Sequence, residues 1–234
     1  SQLTVSMWIK RLGPGNPDTP SYLMHISEKH ALYIDIDNKV KFHIGDADSS
    51  VDAMWSAAGT IDEGEWYHIA VSYDGTSTSN NPVIYVNGTS KSITEEDAPS
   101  ATINTANNSG VTTIGNSTFT PESLKPSSGM YPFEGYIDEV SLWNDNLSSG
   151  EVSAIYNSGY SCNLSDHSKY ANLVSWWRMG DDPGDTMSGY DSAAVDPTGN
   201  PSGNVIIDVV DGANIHFTAQ SGNDLKALTG SANL

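Results

Sequence analysis

Polar and apolar residues alternate most clearly in one stretch of the chain, residues 136–143. Alternation with a period of two is typical of a β-strand that has one packed face and one partly wet face. A regular strand would place Tyr136, Asp138, Val140 and Leu142 on one side and Ile137, Glu139, Ser141 and Trp143 on the other. The pattern therefore predicts a long strand in which the two neighbouring acidic side chains point to opposite faces.

A short helix is predicted directly after this strand. Residues 144–146 are Asn-Asp-Asn, which are turn formers and should end the strand. Ser148 and Glu151 have the spacing of a capping box, in which the serine hydroxyl and the glutamate carboxylate each accept a backbone N–H at the start of a helix. Gly159 is the expected stop of this helix. We expect the helix to cover an edge or an opening of a β-sheet.

Further apolar and alternating segments predict an antiparallel β-protein. The predicted strands are residues 3–10, 22–27, 31–36, 39–44, 51–58, 66–74, 82–87 and 89–93. Asn87 and Gly88 indicate a type I′ hairpin turn, because this pair readily adopts positive φ angles. Residues 95–111 and 118–129 are rich in small, polar or proline residues and are predicted loops. Trp8 lies on the polar side of its strand, where it either packs under a loop or lines a concave surface.

Four motifs occur in an order that resembles a known family. They are EWYHIAVSYDG from residue 65, VIYVNG from residue 83, IGN from residue 114, and GYIDEVSLW from residue 135 with the helix that follows. Together they cover roughly residues 3–159 and resemble laminin-G-like domains of the concanavalin A-like lectin/glucanase group. The resemblance implies an all-β, two-sheet antiparallel jelly-roll sandwich with one short helix. This fold hosts lectins, glycanases, adhesion modules and virion parts, so it does not decide the function.

The chain is predicted to divide near residue 160. Residues 1–160 form the laminin-G-like core, and residues 161–234 form a C-terminal β-rich extension. In the extension, residues 173–180 (LVSWWRMG) predict a strand, and residues 205–210 and 214–218 predict two more. These strands either complete the same sandwich or pair with a neighbouring chain. A laminin-G-like domain with such a tail resembles virion proteins of marine bacteriophages, including those of cyanobacteria.

Charge and cysteine content limit the partners. The chain has 29 acidic and 10 basic residues and a formal net charge of -19, which argues against a nucleic-acid partner. No apolar run approaches the roughly 18 residues needed to cross a membrane, so no membrane span is predicted. Cys162 is the single cysteine, which excludes an internal disulfide. The fold must therefore be held by its core, by a metal or by assembly with other chains.

No catalytic residues are predicted. The resemblance implies that a retaining glucanase of this group would carry the motif E-x-D-x-x-E on one strand. The corresponding strand here carries Glu134, Asp138 and Glu139, whose spacing does not match, so hydrolysis is the least favoured alternative. The six histidines show no zinc-binding spacing, and no metal ligand is predicted.

Calcium is kept as an open candidate cofactor. Related domains often hold one Ca²⁺ at the rim of the sandwich through carboxylates and loop carbonyls. Residues 35–38, 46–50 and 181–185 are oxygen-rich turns of a suitable type. Turns in which an aspartate or asparagine side chain binds its own backbone explain each of them equally well.

Tryptophans are the candidate ligand-binding residues. Sugar binding by this fold uses aromatic rings against sugar faces, together with polar groups on loops. Trp176, Trp177 and Trp55 are the residues selected for this role. Trp176 and Trp177 are adjacent on a strand and must point to opposite faces, so one of them is expected to leave the core.

These observations favour a non-enzymatic virion structural protein, either a capsid decoration or a tail or adhesion component, with a glycan-binding surface. The expected location is the virion surface. The expected partners are other virion proteins or further copies of this chain, and a host-surface glycan. Two alternatives stay open: a secreted Ca²⁺-dependent carbohydrate-binding module and a glycoside hydrolase.

Overall fold

The computed structural model describes residues 2–15, 17–26, 30–45, 52–100, 112–116, 131–178 and 205–207. These residues form two β-sheets, one α-helix and three short 3₁₀ turns. The strands are β1 (Gln2–Arg11), β2 (Ser21–Ile26), β3 (His30–Ile34), β4 (Val40–Gly45), β5 (Asp52–Ala57), β6 (Trp66–Asp74), β7 (Val83–Val86), β8 (Thr89–Ser90), β9 (Ile93–Asp97), β10 (Thr112–Ile114), β11 (Gly135–Trp143), β12 (Leu173–Trp177) and β13 (Val205–Ile207). The helix, α1, spans Ser149–Tyr156, and the 3₁₀ turns span Asn157–Gly159, Leu164–Asp166 and Tyr170–Asn172.

The strands form two sheets that face each other. One sheet has six strands in the order β12-β11-β1-β6-β7-β8, and the other has seven in the order β13-β10-β2-β3-β4-β5-β9. Neighbouring strands run antiparallel, except that β13 is parallel to β10. The predicted all-β sandwich with one short helix is confirmed.

The hydrophobic core lies between the two sheets. Inward-facing residues of β1 and β6, such as Met7, Ile9 and Ile69, are fully buried. They belong to the same core cluster as Phe42 and Trp55 of the other sheet. Fully burying one such apolar side chain stabilises the fold by about 1.5–3 kcal/mol. The alternate residues of the same strands point away from this core, and most of them are buried on the other face of the sheet, whereas Trp8, Lys10 and Trp66 reach the surface.

Strand β11 departs from regular alternation at Glu139. This residue has a φ angle of 48°, and the pairing of β11 with β1 shifts register beside it. A β-bulge of this kind inserts one extra residue and moves the following side chains to the other face. Ile137 and Val140 consequently both lie in the core between the sheets. The prediction that Asp138 and Glu139 point to opposite faces is wrong, since both lie on the outer face of the six-stranded sheet.

The hairpin after β7 has the predicted turn and a shorter partner strand than predicted. Asn87 and Gly88 have φ angles of 52° and 69°, as a type I′ turn requires. After Ser90 the chain crosses to the other sheet, where β9 pairs with β5. The predicted loop at 95–111 therefore begins inside a strand, and its residues 101–111 lie outside the described residues, as does the predicted loop at 118–129.

Helix α1 packs on the outer face of the six-stranded sheet. The capping box is present: Ser148 Oγ accepts from the Glu151 backbone N–H at 3.4 Å, and a Glu151 carboxylate oxygen accepts from the Ser148 backbone N–H at 2.7 Å. The helix ends at Asn157, whose φ of 48° is left-handed, and not at Gly159 as predicted. In the described part of the chain no helix is long and apolar enough to cross a membrane.

Beyond residue 160 the described residues add one strand to each sheet. Strand β12 pairs with β11 at the edge of the six-stranded sheet, and β13 pairs with β10 at the edge of the other. The predicted strand at 173–180 is described as a strand up to Trp177, and that at 205–210 is described for its first three residues. The predicted strand at 214–218 lies outside the described residues.

Candidate functional site

An open groove lies on the outer face of the six-stranded sheet, beside the C-terminal end of α1. Its volume is about 210 Å³, and it is lined by Trp8, Trp66, Asp138, Gly159 and Ser161. We call these five residues the outer groove. The first three come from three neighbouring strands, and the last two come from the segment that leaves the helix.

Strand register explains why the first of these side chains meet. On β1, Trp8 pairs with Asp138 of β11 on one side and with His68 of β6 on the other. Because neighbouring strands lie about 4.8 Å apart, these side chains form one continuous row on the outer face. An acidic group and an aromatic ring are thereby brought together from distant parts of the sequence.

A second row completes the open end of the groove. Lys10 pairs with Tyr136 on one side and with Trp66 on the other. The rings of Trp66 and Tyr136 approach each other, with 6.2 Å between their centroids. Trp66 is 44% exposed, and Tyr160, which stands between the groove residues Gly159 and Ser161, is 73% exposed. An exposed aromatic ring of this kind is a candidate for contact with a ligand.

Trp8 is held in place by packing under the helix. Its ring stacks on Tyr156 of α1 with 5.7 Å between centroids and lies 5.3 Å from the ring of His68. His68 is fully buried with its Nε2 2.8 Å from Ser6 Oγ, and burial lowers the pKa of His68 to about 4. Gly88 permits this packing, because a Cβ atom added there would lie 2.6 Å from the Tyr156 ring. Trp8 thus packs beneath one element and also lines a groove.

Asp138 is positioned by the β-bulge. Its Oδ1 accepts a hydrogen bond of 2.8 Å from the backbone N–H of Glu139. The Glu139 carboxylate is buried, accepts from Trp176 Nε1 at 2.6 Å, and lies 3.4 Å from Arg178 Nε. The Arg178 guanidinium also lies 4.6 Å from the centre of the Trp176 ring. A left-handed residue of this type costs about 1–3 kcal/mol, so these contacts help to keep the bulge.

Two of the three tryptophans predicted to bind a ligand lie in the core. Trp55 is 0% exposed and donates from Nε1 to Asn81 Oδ1 at 3.0 Å, and Trp177 is 1% exposed. Both are at inward positions of their strands, so neither presents a ring face to a ligand. Trp176 is half-buried on the outer face and contacts Glu139 and Arg178. The prediction that one of the adjacent pair leaves the core is confirmed.

Trp66 and Asp138 were not identified from the sequence as site residues. A signal for Trp66 was present, because it is out of phase with Tyr67, Ile69 and Val71, which share the inward face of β6. Its position in the alternation of β6 therefore places it on the outer face of the sheet. No comparable signal existed for Asp138, whose neighbours depend on pairing between distant strands.

One of the three predicted Ca²⁺ turns can be compared with the structure. Lys41 Nζ lies 2.8 Å from a carboxylate oxygen of Asp35, and Lys39 Nζ lies 2.6 Å from one of Asp37. Lysines therefore occupy the positions at which a cation would bind, and Asp37 also accepts from the Lys39 backbone at 3.1 Å. The other two turns lie outside the described residues. Within the residues that are described, no group of three or more ligand-type side chains clusters.

The acidic residues in and beside β11 are not paired across the groove. Glu134 packs against the loop at Gly13 and accepts from the Gly15 backbone N–H at 3.3 Å. Glu139 is engaged by Arg178. A retaining glycosidase needs two carboxyl groups about 5–5.5 Å apart across the sugar bond. Of the described residues that line the groove, Asp138 alone carries a carboxylate.

Several solved structures are similar to this chain. One is a Bacteroides ovatus protein provisionally assigned as carbohydrate binding, with a TM-score of 0.52 and 16% identity. The match covers 76% of this chain and 45% of that protein, so the chain spans less than half of its length. Another is the CBM40 domain of the Ruminococcus gnavus IT-sialidase bound to α2,3-sialyllactose, with a TM-score of 0.49, 16% identity, and coverage of 66% and 82%.

A third similar structure is domain 4 of AbnA, a GH43 extracellular arabinanase of Geobacillus stearothermophilus, in complex with arabinotriose. Its TM-score is 0.44 at 20% identity, and the match covers 66% of each chain. At such identities the similarity concerns the fold alone. A comparison with curated proteins found no matching sequence. The sequence model of a laminin-G-type family matches residues 1–153, which is more than half of the 234 residues. The chain therefore belongs to the concanavalin A-like lectin/glucanases superfamily.

Proposed function

We propose that this chain is a non-catalytic carbohydrate-binding domain and that the outer groove is its sugar site. The observation that carries the proposal is the placement of Trp66, a tryptophan 44% exposed that lines one groove together with the carboxylate of Asp138. An exposed ring beside a hydrogen-bond acceptor is the combination that a sugar needs, since a sugar has both apolar C–H faces and hydroxyl edges.

The groove supplies both kinds of contact. The rings of Trp66 and Trp8 offer apolar surface for the face of a sugar ring. Asp138 accepts hydrogen bonds from sugar hydroxyls, and the Ser161 hydroxyl both donates and accepts. The groove volume of about 210 Å³ is below the roughly 300–1,000 Å³ of pockets for drug-sized ligands, which suits one sugar unit of a longer chain.

Rigid support favours binding by this groove. Trp8 is clamped between Tyr156 and His68, and Asp138 is fixed by the backbone of the bulge. Side chains that are already ordered lose little conformational entropy when a ligand binds, whereas each rotamer-rich side chain ordered on binding costs about 0.5–1.5 kcal/mol. Ordered side chains therefore lower the entropic cost of binding at this shallow site.

The absence of catalysis is part of the same proposal. The lining of the groove provides one carboxylate, and Glu139 is held by Arg178. The alternative, a glycoside hydrolase, is tested by release of reducing ends from polysaccharides and by loss of that release in Glu139→Gln and Glu134→Gln. We expect no release from the wild-type chain.

The biological setting that we propose is the surface of a virion, with other virion proteins or copies of this chain as partners. It is supported by the resemblance of the core with residues 161–234 to marine phage virion proteins, and by the net charge of -19. Genes for capsid or tail proteins beside this gene would support the setting. Tight binding of a glycan by the monomer that is lost when Ca²⁺ is chelated would instead favour a secreted Ca²⁺-dependent module.

The sugar site is tested by a glycan array followed by calorimetric titration of the best ligand. Trp66→Ala should weaken binding at least tenfold, because one large aromatic contact of about 1.5–3 kcal/mol is removed. Ile36→Ala is the matched control, since Ile36 is also an exposed apolar residue and does not line the groove. Unchanged binding by Trp66→Ala would refute the assignment.

A further inference from the structure

The charge at the outer groove narrows the class of sugar it binds. Asp138 is the charged residue among those that line the groove. The segment that leads into Trp66 adds three exposed acidic residues, Asp62, Glu63 and Glu65. Two basic residues lie on the same face outside the groove lining: Lys10, in the row between Tyr136 and Trp66, and Arg178, which is paired with the buried Glu139 carboxylate. The charged groups near the groove are therefore mainly negative.

The aromatic rings of the groove favour the same kind of ligand as the negative charge does. The faces of tryptophan rings attract cations and do not attract anions. The whole chain carries a net charge of -19, which raises the local concentration of cationic ligands and repels anionic ones. The tryptophan rings, the Asp138 carboxylate and the negative net charge of the chain therefore all favour a positively charged ligand.

Resting on the carbohydrate-binding function proposed above, we infer that the outer groove selects sugars that carry a positively charged amine. The amine of such a sugar would lie between the Asp138 carboxylate and the face of Trp66 or Trp8. The same sugar with an acetylated nitrogen keeps its ring and hydroxyls and loses the charge. A uronic acid carries the opposite charge and should bind worst.

The test compares three oligosaccharide series of equal length by calorimetric titration. They are oligomers of glucosamine at a pH at which the amine is protonated, oligomers of N-acetylglucosamine, and oligomers of galacturonic acid. We expect the glucosamine series to bind about tenfold more tightly than the acetylated one, and the galacturonate series to bind most weakly. Because exposed ion pairs are screened by salt, added salt should shrink the preference for the amine.

Single substitutions test whether the preference for the amine sugar arises in the outer groove. Asp138→Asn keeps the shape of the side chain and removes its charge, and it should reduce the ratio of the two affinities to near one. Lys10→Gln removes the neighbouring positive charge and should increase the ratio. Asp97→Asn is the matched control, since Asp97 is an exposed aspartate of β9 in the other sheet and its loss should leave the ratio unchanged.

The results distinguish a failure of this inference from a failure of the proposed carbohydrate-binding function. Equal affinity for amine and acetylated sugars, or a ratio that Asp138→Asn leaves unchanged, overturns the inference and leaves carbohydrate binding intact. Tighter binding of galacturonate also overturns it. Failure of all three series and of every array glycan refutes carbohydrate binding itself. Far-UV circular dichroism of each variant confirms that a changed ratio comes from a folded protein.

Discussion

Gly88 packs against the Tyr156 ring that holds Trp8, and its replacement by alanine tests how far this packing supports the groove. The residue has a φ of 69° in the hairpin turn between β7 and β8, and an added Cβ would lie 2.6 Å from the Tyr156 ring. Two costs arise. A left-handed alanine costs about 1–2 kcal/mol, and displacement of Tyr156 removes its stacking on Trp8, worth about 0.5–1.5 kcal/mol. We expect Gly88→Ala to destabilise the fold by about 2–3 kcal/mol.

Gly59→Ala separates the two costs. Gly59 has a φ of 92°, and an added Cβ would meet nothing within 4 Å, so this variant carries the backbone cost alone. Urea unfolding followed by tryptophan fluorescence gives the free energy of unfolding of each variant. Gly88→Ala should lose about 1 kcal/mol more than Gly59→Ala, and it should also weaken sugar binding because Trp8 is no longer fixed.

A double-mutant cycle with Tyr156→Ala identifies the clash as the cause. When the Tyr156 ring is absent, Gly88→Ala should cost only what Gly59→Ala costs, so the two changes should not be additive. If Gly88→Ala and Gly59→Ala are equally destabilising, or if the costs at Gly88 and Tyr156 simply add, the reasoning that links the hairpin turn to Trp8 is refuted.

Three further predictions concern stability. Burial lowers the pKa of His68 to about 4, and burial, with a smaller effect of His43, does the same for His25. The unfolded chain, with its usual histidine pKa of 6.5, therefore binds more protons between about pH 6.5 and pH 4. The free energy of unfolding measured in urea should be highest above this pH window and fall by up to about 3 kcal/mol per histidine as the pH drops through it. A free energy that stays constant would contradict the burial of the two histidines. Ser148→Ala should cost about 1 kcal/mol in the same assay, through loss of the helix cap, and a variant as stable as wild type would count against the cap. Trp55→Ala should cost about 3–5 kcal/mol, whereas Trp66→Ala should leave the unfolding midpoint nearly unchanged; the reverse order would mean that the core and the surface ring are wrongly assigned.

Local sequence patterns were sufficient for most of the fold. The strands β1 and β6 were predictable because their inward residues form one continuous core whose spacing is visible in the sequence. The helix start was predictable because the capping box is a local signal. Strand β9 was not predictable, since Ile93–Asp97 is mostly acidic and exposed and is a strand only through its pairing with β5.

The candidate site was less predictable than the fold because it depends on register. No glycine marks the bulge at Glu139, so the sequence indicates regular alternation where the structure has an inserted residue. Asp138, Trp8 and Trp66 come from three strands that are far apart in sequence and adjacent in the sheet. Trp55 was predicted to bind a ligand and is fully buried, because the inward position of its ring becomes clear only when the packing partner of its strand is known.

The most direct test of the sugar site is to follow the indole N–H signals of the six tryptophans by NMR while the best glycan is titrated. Each tryptophan gives one such signal, and single Trp→Phe variants assign them. Binding at the outer groove should shift the signals of Trp8 and Trp66 in a saturable manner and leave those of the core residues Trp55 and Trp177 in place. Saturable binding that leaves Trp8 and Trp66 unshifted would contradict the account.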